Sequence, residues 1–219
     1  MKTCEMPTVA TRPAAVILAN GEFPRHEISV SILSNAAYLA CCDGAINQLL
    51  AAGIRPDAIV GDGDSLDQKI RTKYADIIRL VAEQETNDQT KTVMFCIEKG
   101  LKDIIILGGC GKREDHTLGN ISLLAEYLNM TENICMITNY GVFNPIRGAV
   151  RFESFAGQQV SLFAIDRRPL TVRNLKYPVE DRILDNWWQG TLNESQGDDF
   201  VVEASGRAIV FRLFPLSVL

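Results

Sequence analysis

The stretch PDAIVGDGDSL, residues 56–66, ends an apolar run on two carboxylates set two positions apart. In an extended chain, residues i and i+2 point the same way. Asp62 and Asp64 would then face one crevice, and their repulsion disfavours that arrangement unless a cation sits there. Hard carboxylate oxygens suit Mg2+, which takes one or two of them and completes its shell with water or phosphate. The competing reading is a solvated Asp-Gly turn in which Asp64 or Ser65 caps a helix.

Three further junctions carry the same signature. CCDGAIN leaves an apolar run through Asp43 and Gly44. ETNDQT puts Asp88 at a helix start. LGGCGKREDHTLGN passes a Gly-rich turn and enters a helix at Asp115 or His116. Each Asp alone is an ordinary cap. Together they predict a polar crevice at the carboxyl edge of a sheet, where open α/β sheets bind ligands. The Gly-rich turn is not a P-loop, because Arg113 follows Lys112 and Ile106 stands where the first glycine belongs. It also fails G-x-G-x-x-G at Glu114. Its backbone N–H groups, with Lys112 and Arg113, still suit a phosphate, against the alternative of solvated loop charge. His116 is one of two histidines, with His26, and neither lies in a nucleophilic triad pattern.

Apolar runs at 14–20, 38–43, 57–62, 77–82, 103–109 and 133–139 alternate with helical segments over GAINQLLAAG, SLDQKIRTKYA, 88–100 and 115–129. Continuous apolar strands alternating with helices predict a parallel sheet covered on both faces. After Tyr140 the pattern becomes short alternating strands, a small sandwich or barrel. The boundary falls within 140–146, dividing an α/β domain, 1–140, from an all-β domain, 141–219. A net charge of −5 gives no nucleic-acid footprint, and no apolar run is long enough to cross a membrane. The first residues lack the apolar core of a secretory signal. Six cysteines without a C-x-x-C pair lie mostly in apolar runs, which argues against structural zinc and for a reducing cytoplasm.

Late in the chain, LDNWWQGTLNES holds both tryptophans. Trp187 or Trp188 could stack on a flat cation, with Thr191 and Asn193 at its edge. The residues alone favour one core Trp and one half-buried in a loop.

The segments CCDGAINQLL, PDAIVGDGDSL, ETNDQT, GGCGKREDHTLGNISLL and NLKYPVED…GTLNES, in this order, resemble the thiamin pyrophosphokinase family. The resemblance covers about Val16 to the C-terminus. It implies a Rossmann-like α/β domain followed by a β-sandwich, and a homodimer with active sites at the subunit interface. It implies transfer of pyrophosphate from ATP to the hydroxyl of thiamin, giving thiamin diphosphate and AMP with Mg2+. On this reading Asp62, Asp64 and Asp88 hold metal and, with Asp115, form the catalytic set. The nucleotide side comprises Asp43, Gly44, Asn47, Thr90, Lys91, Arg113, His116 and Asn120. Thiamin meets Trp187, Trp188, Thr191 and Asn193. The carboxylate that accepts the hydroxyl proton is Asp88 or Asp115.

The chain departs from the family pattern at three places. Lys91 replaces the second carboxylate of Asp-x-Thr-Asp, Leu192 replaces a Ser before Asn193-Glu194, and Gly63 replaces a Phe. Leu192 and Gly63 leave open a pyrophosphokinase for another heterocyclic alcohol, such as a pterin. Lys91 leaves open a nucleotide- and thiamin-binding protein without turnover.

Overall fold

The computed structural model describes residues 1–215. The last four residues of the expected second domain lie outside the described residues.

Four strands are buried along their whole length or nearly so: β2 (Ala15–Leu18), β3 (Leu39–Cys42), β4 (Ala58–Gly61) and β6 (Asp103–Leu107). With β5 (Ile78–Leu80) and β7 (Asn133–Ile137) they form a parallel array in the order β5-β4-β3-β2-β6-β7. Alternation within each strand divides the apolar side chains between two faces. Val16, Leu18, Cys41 and Ile59 pack under α1 (Glu27–Ser34), α2 (Ile46–Ala51) and α3 (Gln68–Lys73). Ile17, Ala40, Val60 and Ile106 pack under α4 (Asp88–Glu98) and α5 (Glu114–Tyr127). Both faces are therefore dry, which is why these strands read as unbroken apolar runs.

The chain moves outward from β2 through β3, β4 and β5, then crosses back to β6 on the other side of β2. The direction of winding thus switches between β2 and β6. There the segment after β2 docks on the Gly-rich turn: Gly21 N donates to Gly108 O at 2.6 Å and Glu22 N to Cys110 O at 2.7 Å. A Cβ on Gly21 would lie 2.3 Å from both carbonyl oxygens, so only glycine fits.

Residues 141–146 of the predicted boundary segment open one long strand, β8 (Gly141–Glu153), which pairs antiparallel with β7 and extends the sheet. Pro145 lies within it, beyond the last β7 partner, Phe143. Where the pattern predicts only short strands, residues 199–213 form one long element, β13 (Asp199–Leu213), with a register irregularity between Ala204 and Arg207. Before that irregularity β13 pairs with β10 (Leu170–Arg173), and after it with β9 (Gln159–Ala164). Short strands β1 (Lys2–Cys4), β11 (Val179–Arg182) and β12 (Asn193–Glu194) pair along β8, β10 and β9. A third apolar cluster fills this half, with Phe152 stacked on Phe200 at 5.0 Å between ring centres. The result is a mixed α/β fold built on one large sheet.

Arg212 is fully buried at this seam. Its guanidinium donates to the carbonyls of Cys4, Glu153 and Glu5 and to Asn144 Oδ1 at 2.7–3.1 Å, and lies 4.9 Å over the Phe152 ring. Carbonyl dipoles, not a carboxylate, offset the lost hydration, and one cation ties the N-terminal strand to β8. Arg212→Leu strands four acceptors, and urea unfolding is expected to show a loss of about 3 kcal/mol.

Candidate active site

Strand ends place the acidic residues. Asp43 follows β3 directly, and Asp62 follows β4. Asp88 is the first residue of α4, whose cap is Asn87: its Oδ1 accepts from Thr90 N at 2.9 Å. The Asp88 carboxylate is therefore free of capping duty. α3 begins later than expected, with Asp67 as its cap, so neither Asp64 nor Ser65 caps it.

Asp43 is 1% exposed. Its Oδ2 accepts from Gly63 N at 2.9 Å, and its buried Oδ1 has no partner among the described residues. A Cβ on Gly61 would sit 2.6 Å from Asp43 Cγ, so the missing side chain makes room for the carboxylate. Asp62 takes a turn-like bond from Asp64 N to its Oδ1 at 3.0 Å and one from Gln84 Nε2 to its Oδ2 at 3.3 Å. These donors hold Asp62 below the usual carboxylate range. Asp88 moves the opposite way: burial first, then the Asp43 charge, push it up to about 6, while Lys91 opposes and Asp62 adds to the rise. Lys91 Nζ lies 3.8 Å from Asp88 Oδ1, the i, i+3 approach expected on one helix.

Asp43, Asp62 and Lys91 therefore all act on Asp88, and Lys91 acts on Asp62 as well. Asp64 is exposed and offers the group its backbone N–H. Asp115 stands apart in a forked pair with Arg113, at 3.1 Å from Nε and 2.6 Å from Nη2, and also takes His116 N. That pairing holds its carboxyl down at about 2. Part of the expected phosphate cradle is spent internally. Gly111 N donates to Thr117 Oγ1, Arg113 N to Gly111 O, and Lys112 Nζ to Asn20 O.

Several of the other expected contact residues are engaged within the fold. Thr90 Oγ1 lies 2.8 Å from the Tyr127 hydroxyl inside the α4–α5 interface. Asn120 takes Asn87 Nδ2 at 2.9 Å and donates to Gly109 O at 2.9 Å, so it ties α4 to the Gly-rich turn. Gly44 abuts Asn20, which lies 2.4 Å from where a Cβ would be. Asn47 and His116 are exposed. Asn20 and Gln84 went unnoticed as sequence; Asn20 had a signal, an Asn-Gly directly after a strand, whereas Gln84 had none.

The tryptophans correct the expectation of a core Trp. Trp188 is 73% exposed and Trp187 43%. Trp187 meets Phe163 edge-on at 5.9 Å, and Phe163 leads to Phe143 at 6.5 Å. Phe143 lines a cavity of about 260 Å³ bounded by Glu22, Gly108, Gly111, Thr117 and Asn139. Asn193 is buried and spends its amide on the backbone N and O of Tyr177, at 3.0 and 2.8 Å. Thr191 Oγ1 donates to Trp188 O at 2.8 Å. A larger cavity, about 560 Å³, lies at the amino ends of β6 and β7, and none of the four aspartates lines it.

Sequence models of two thiamin pyrophosphokinase domains match in order, the catalytic domain over 30–136 and the substrate-binding domain over 141–211. The chain belongs to the thiamin pyrophosphokinase family. Thiamin pyrophosphokinase 1 of Caenorhabditis elegans is 32% identical over 108 residues, 45% of this chain and 44% of that protein. Thiamine pyrophosphokinase of Bacillus subtilis (strain 168) is 32% identical over 143 residues, 61% of this chain and 66% of that one. The chain spans about half the length of the first curated relatives it matches. Thiamin pyrophosphokinase from Candida albicans superposes with a TM-score of 0.78 at 18% identity, over 98% of this chain and 93% of that one. Thiamine pyrophosphokinase from Bacillus subtilis gives 0.74 at 22%, over 92% and 100%. These structural likenesses carry the mixed α/β fold.

Residues that fit a divalent cation are present: hard oxygens on Asp43, Asp62 and Asp88, with Asp43 Oδ1 buried and unpaired. Among the described residues no group of three or more His, Cys, Asp or Glu is arranged to hold a metal ion by itself. Mg2+ takes one or two carboxylates and completes its shell with waters and substrate phosphates.

Because its folded carboxyl binds protons more tightly than the unfolded chain, Asp88 favours the folded state at low pH. That contribution is lost as pH rises from about 4 through about 6. Urea unfolding in EDTA is expected to show stability falling across this window, and Asp88→Asn to flatten the fall.

Proposed function

We propose that this protein transfers pyrophosphate from ATP to the hydroxyl of thiamin, yielding thiamin diphosphate and AMP. The observation that carries the reading is Asp88 perturbed by the buried Asp43 and by Asp62 at the carboxyl edge of the sheet, in a chain of this family. Pyrophosphoryl transfer asks chiefly for positioning and charge neutralisation. Asp43, Asp62 and Asp88 would hold Mg2+, with Asp64 beside them. When bound, the ion supplies neutralisation of phosphate oxygens. Arg113 presents a fork that suits a phosphate, held in readiness by Asp115. Asp115 has both oxygens engaged, which favours Asp88 as the carboxylate that takes the hydroxyl proton. The cavity beside the Gly-rich turn offers room for part of a substrate, and its Phe143–Phe163 wall leads to Trp187.

We read residues 1–140 as a Rossmann-like catalytic part and 141–219 as a sandwich-like thiamin-binding part. The break between the two matched regions, 136 to 141, supports that division. Among the described residues no hydrogen bond or ion pair joins segment 187–194 to Asp43, Asp62, Asp88 or Asp115. This favours a homodimer in which one copy's exposed Trp188 faces the other's acidic edge. No described helix is long and apolar enough to cross a membrane. Six unpaired cysteines support a reducing cytoplasm.

AMP formed from ATP and Mg2+, with and without thiamin, tests the reaction directly. Thiamin-dependent AMP with equal thiamin diphosphate is expected; AMP absent despite thiamin binding would leave a binding protein, and turnover of a pterin alcohol instead would change the substrate. Asp43→Asn and Asp62→Asn are each expected to lower kcat by roughly a hundredfold or more with an unchanged circular dichroism spectrum.

The tryptophan variants are expected to differ. Trp188→Ala should raise the thiamin KM about tenfold with an unchanged Tm. Trp187→Ala loses the Phe163 edge contact and should cost about 1 kcal/mol of stability.

A further inference from the structure

Lys91 is charged, 4% exposed, and has no part in the reading above. An ammonium carries three donors and is costly to bury without acceptors. Lys91 Nζ makes no hydrogen bond among the described residues, and its nearest carboxylate oxygen, Asp88 Oδ1, is 3.8 Å away. Its charge nevertheless acts on Asp62, Glu83 and Asp88. Asp88 also feels Asp43, whose buried Oδ1 has no partner among the described residues. The side chain is almost wholly enclosed, 2% exposed. Three carboxylates less one ammonium leave two negative charges, which one divalent ion neutralises.

We propose that the Lys91 ammonium is a built-in cation of the acidic edge, taking up one of the negative charges of Asp43, Asp62 and Asp88 so that these groups hold a single divalent ion. This deepens the proposed function and rests on its acidic site, though not on turnover. A fixed charge differs from a bound ion in being always present and unable to leave with product. In free protein it also limits affinity for a divalent ion, since the two cations repel across a few ångströms.

Binding of Mn2+, with no ATP or thiamin present, tests this through the loss of the free-ion electron paramagnetic resonance signal. Wild type and Lys91→Arg are expected to hold at most one ion per chain. Lys91→Met, which keeps the length and removes the charge, should bind Mn2+ at least about tenfold more tightly. It should also melt lower in EDTA and regain its Tm when Mn2+ is added. Lys91→Asp should take up one additional ion. Unchanged number and affinity in Lys91→Met overturns the proposal, and so does an absence of Mn2+ binding in wild type and variants alike. If Lys91→Asp does not fold, Lys91→Met decides alone. A wild-type protein that releases no AMP would fail the enzymatic reading and leave this comparison intact.

Discussion

Repulsion between carboxylates gathered at one sheet edge is the constraint around which this structure is arranged. Burial and then the charges of Asp43 and Asp62 raise the cost of ionising Asp88. The fold offsets this with small, fixed contributions. Gly63 N–H donates to Asp43, Asp64 N–H and Gln84 donate to Asp62, and Lys91 stands beside Asp88. Gly61 gives up a side chain so that Asp43 can occupy its space. One oxygen remains unsatisfied, as expected of a group shaped for a ligand rather than for stability.

The scaffold exists to hold those charges in place. A sheet buried on both faces fixes where β3 and β4 end, and so fixes Asp43 and Asp62. Asp88 comes from a helix and needs separate positioning. Asn87 caps α4 and also reaches Asn120, Asn120 holds Gly109, and Thr90 pairs with Tyr127. This polar chain joins α4, α5 and the Gly-rich turn behind the site. Residues that look like ligand contacts in the sequence thus act as bearings for those that can be.

The C-terminal half is attached by continuous strands. β8 and β13 carry the sheet from β7 into the region of Phe152 and Phe200, and the irregularity in β13 lets one strand serve β10 and then β9. Arg212 locks the seam through four acceptors. The exposed tryptophans lie on this half.

By itself the sequence determined the parallel array and the placement of aspartates at its carboxyl edge. Unbroken apolar runs such as DIIIL need burial on both faces, and a strand that stops on Asp-Gly must open a crevice there. The motif order likewise carried the family. Only the tertiary structure decided which polar groups share a space. Local spacing tied Asp62 to Asp64, yet Asp62 also acts on Asp88 at the start of α4, where Asp43 acts too from the end of β3. Asn120, Thr90 and Asn193 had the right chemistry for a ligand, but their partners, Gly109, Tyr127 and Tyr177, come from other elements and spend those groups inside the fold. Gly, Asn and Pro mark turns locally in the segment 140–146, and long-range pairing with β13 makes residues 141–146 strand. Periodicity reports which face a residue takes; what waits on that face is set by contacts far along the chain.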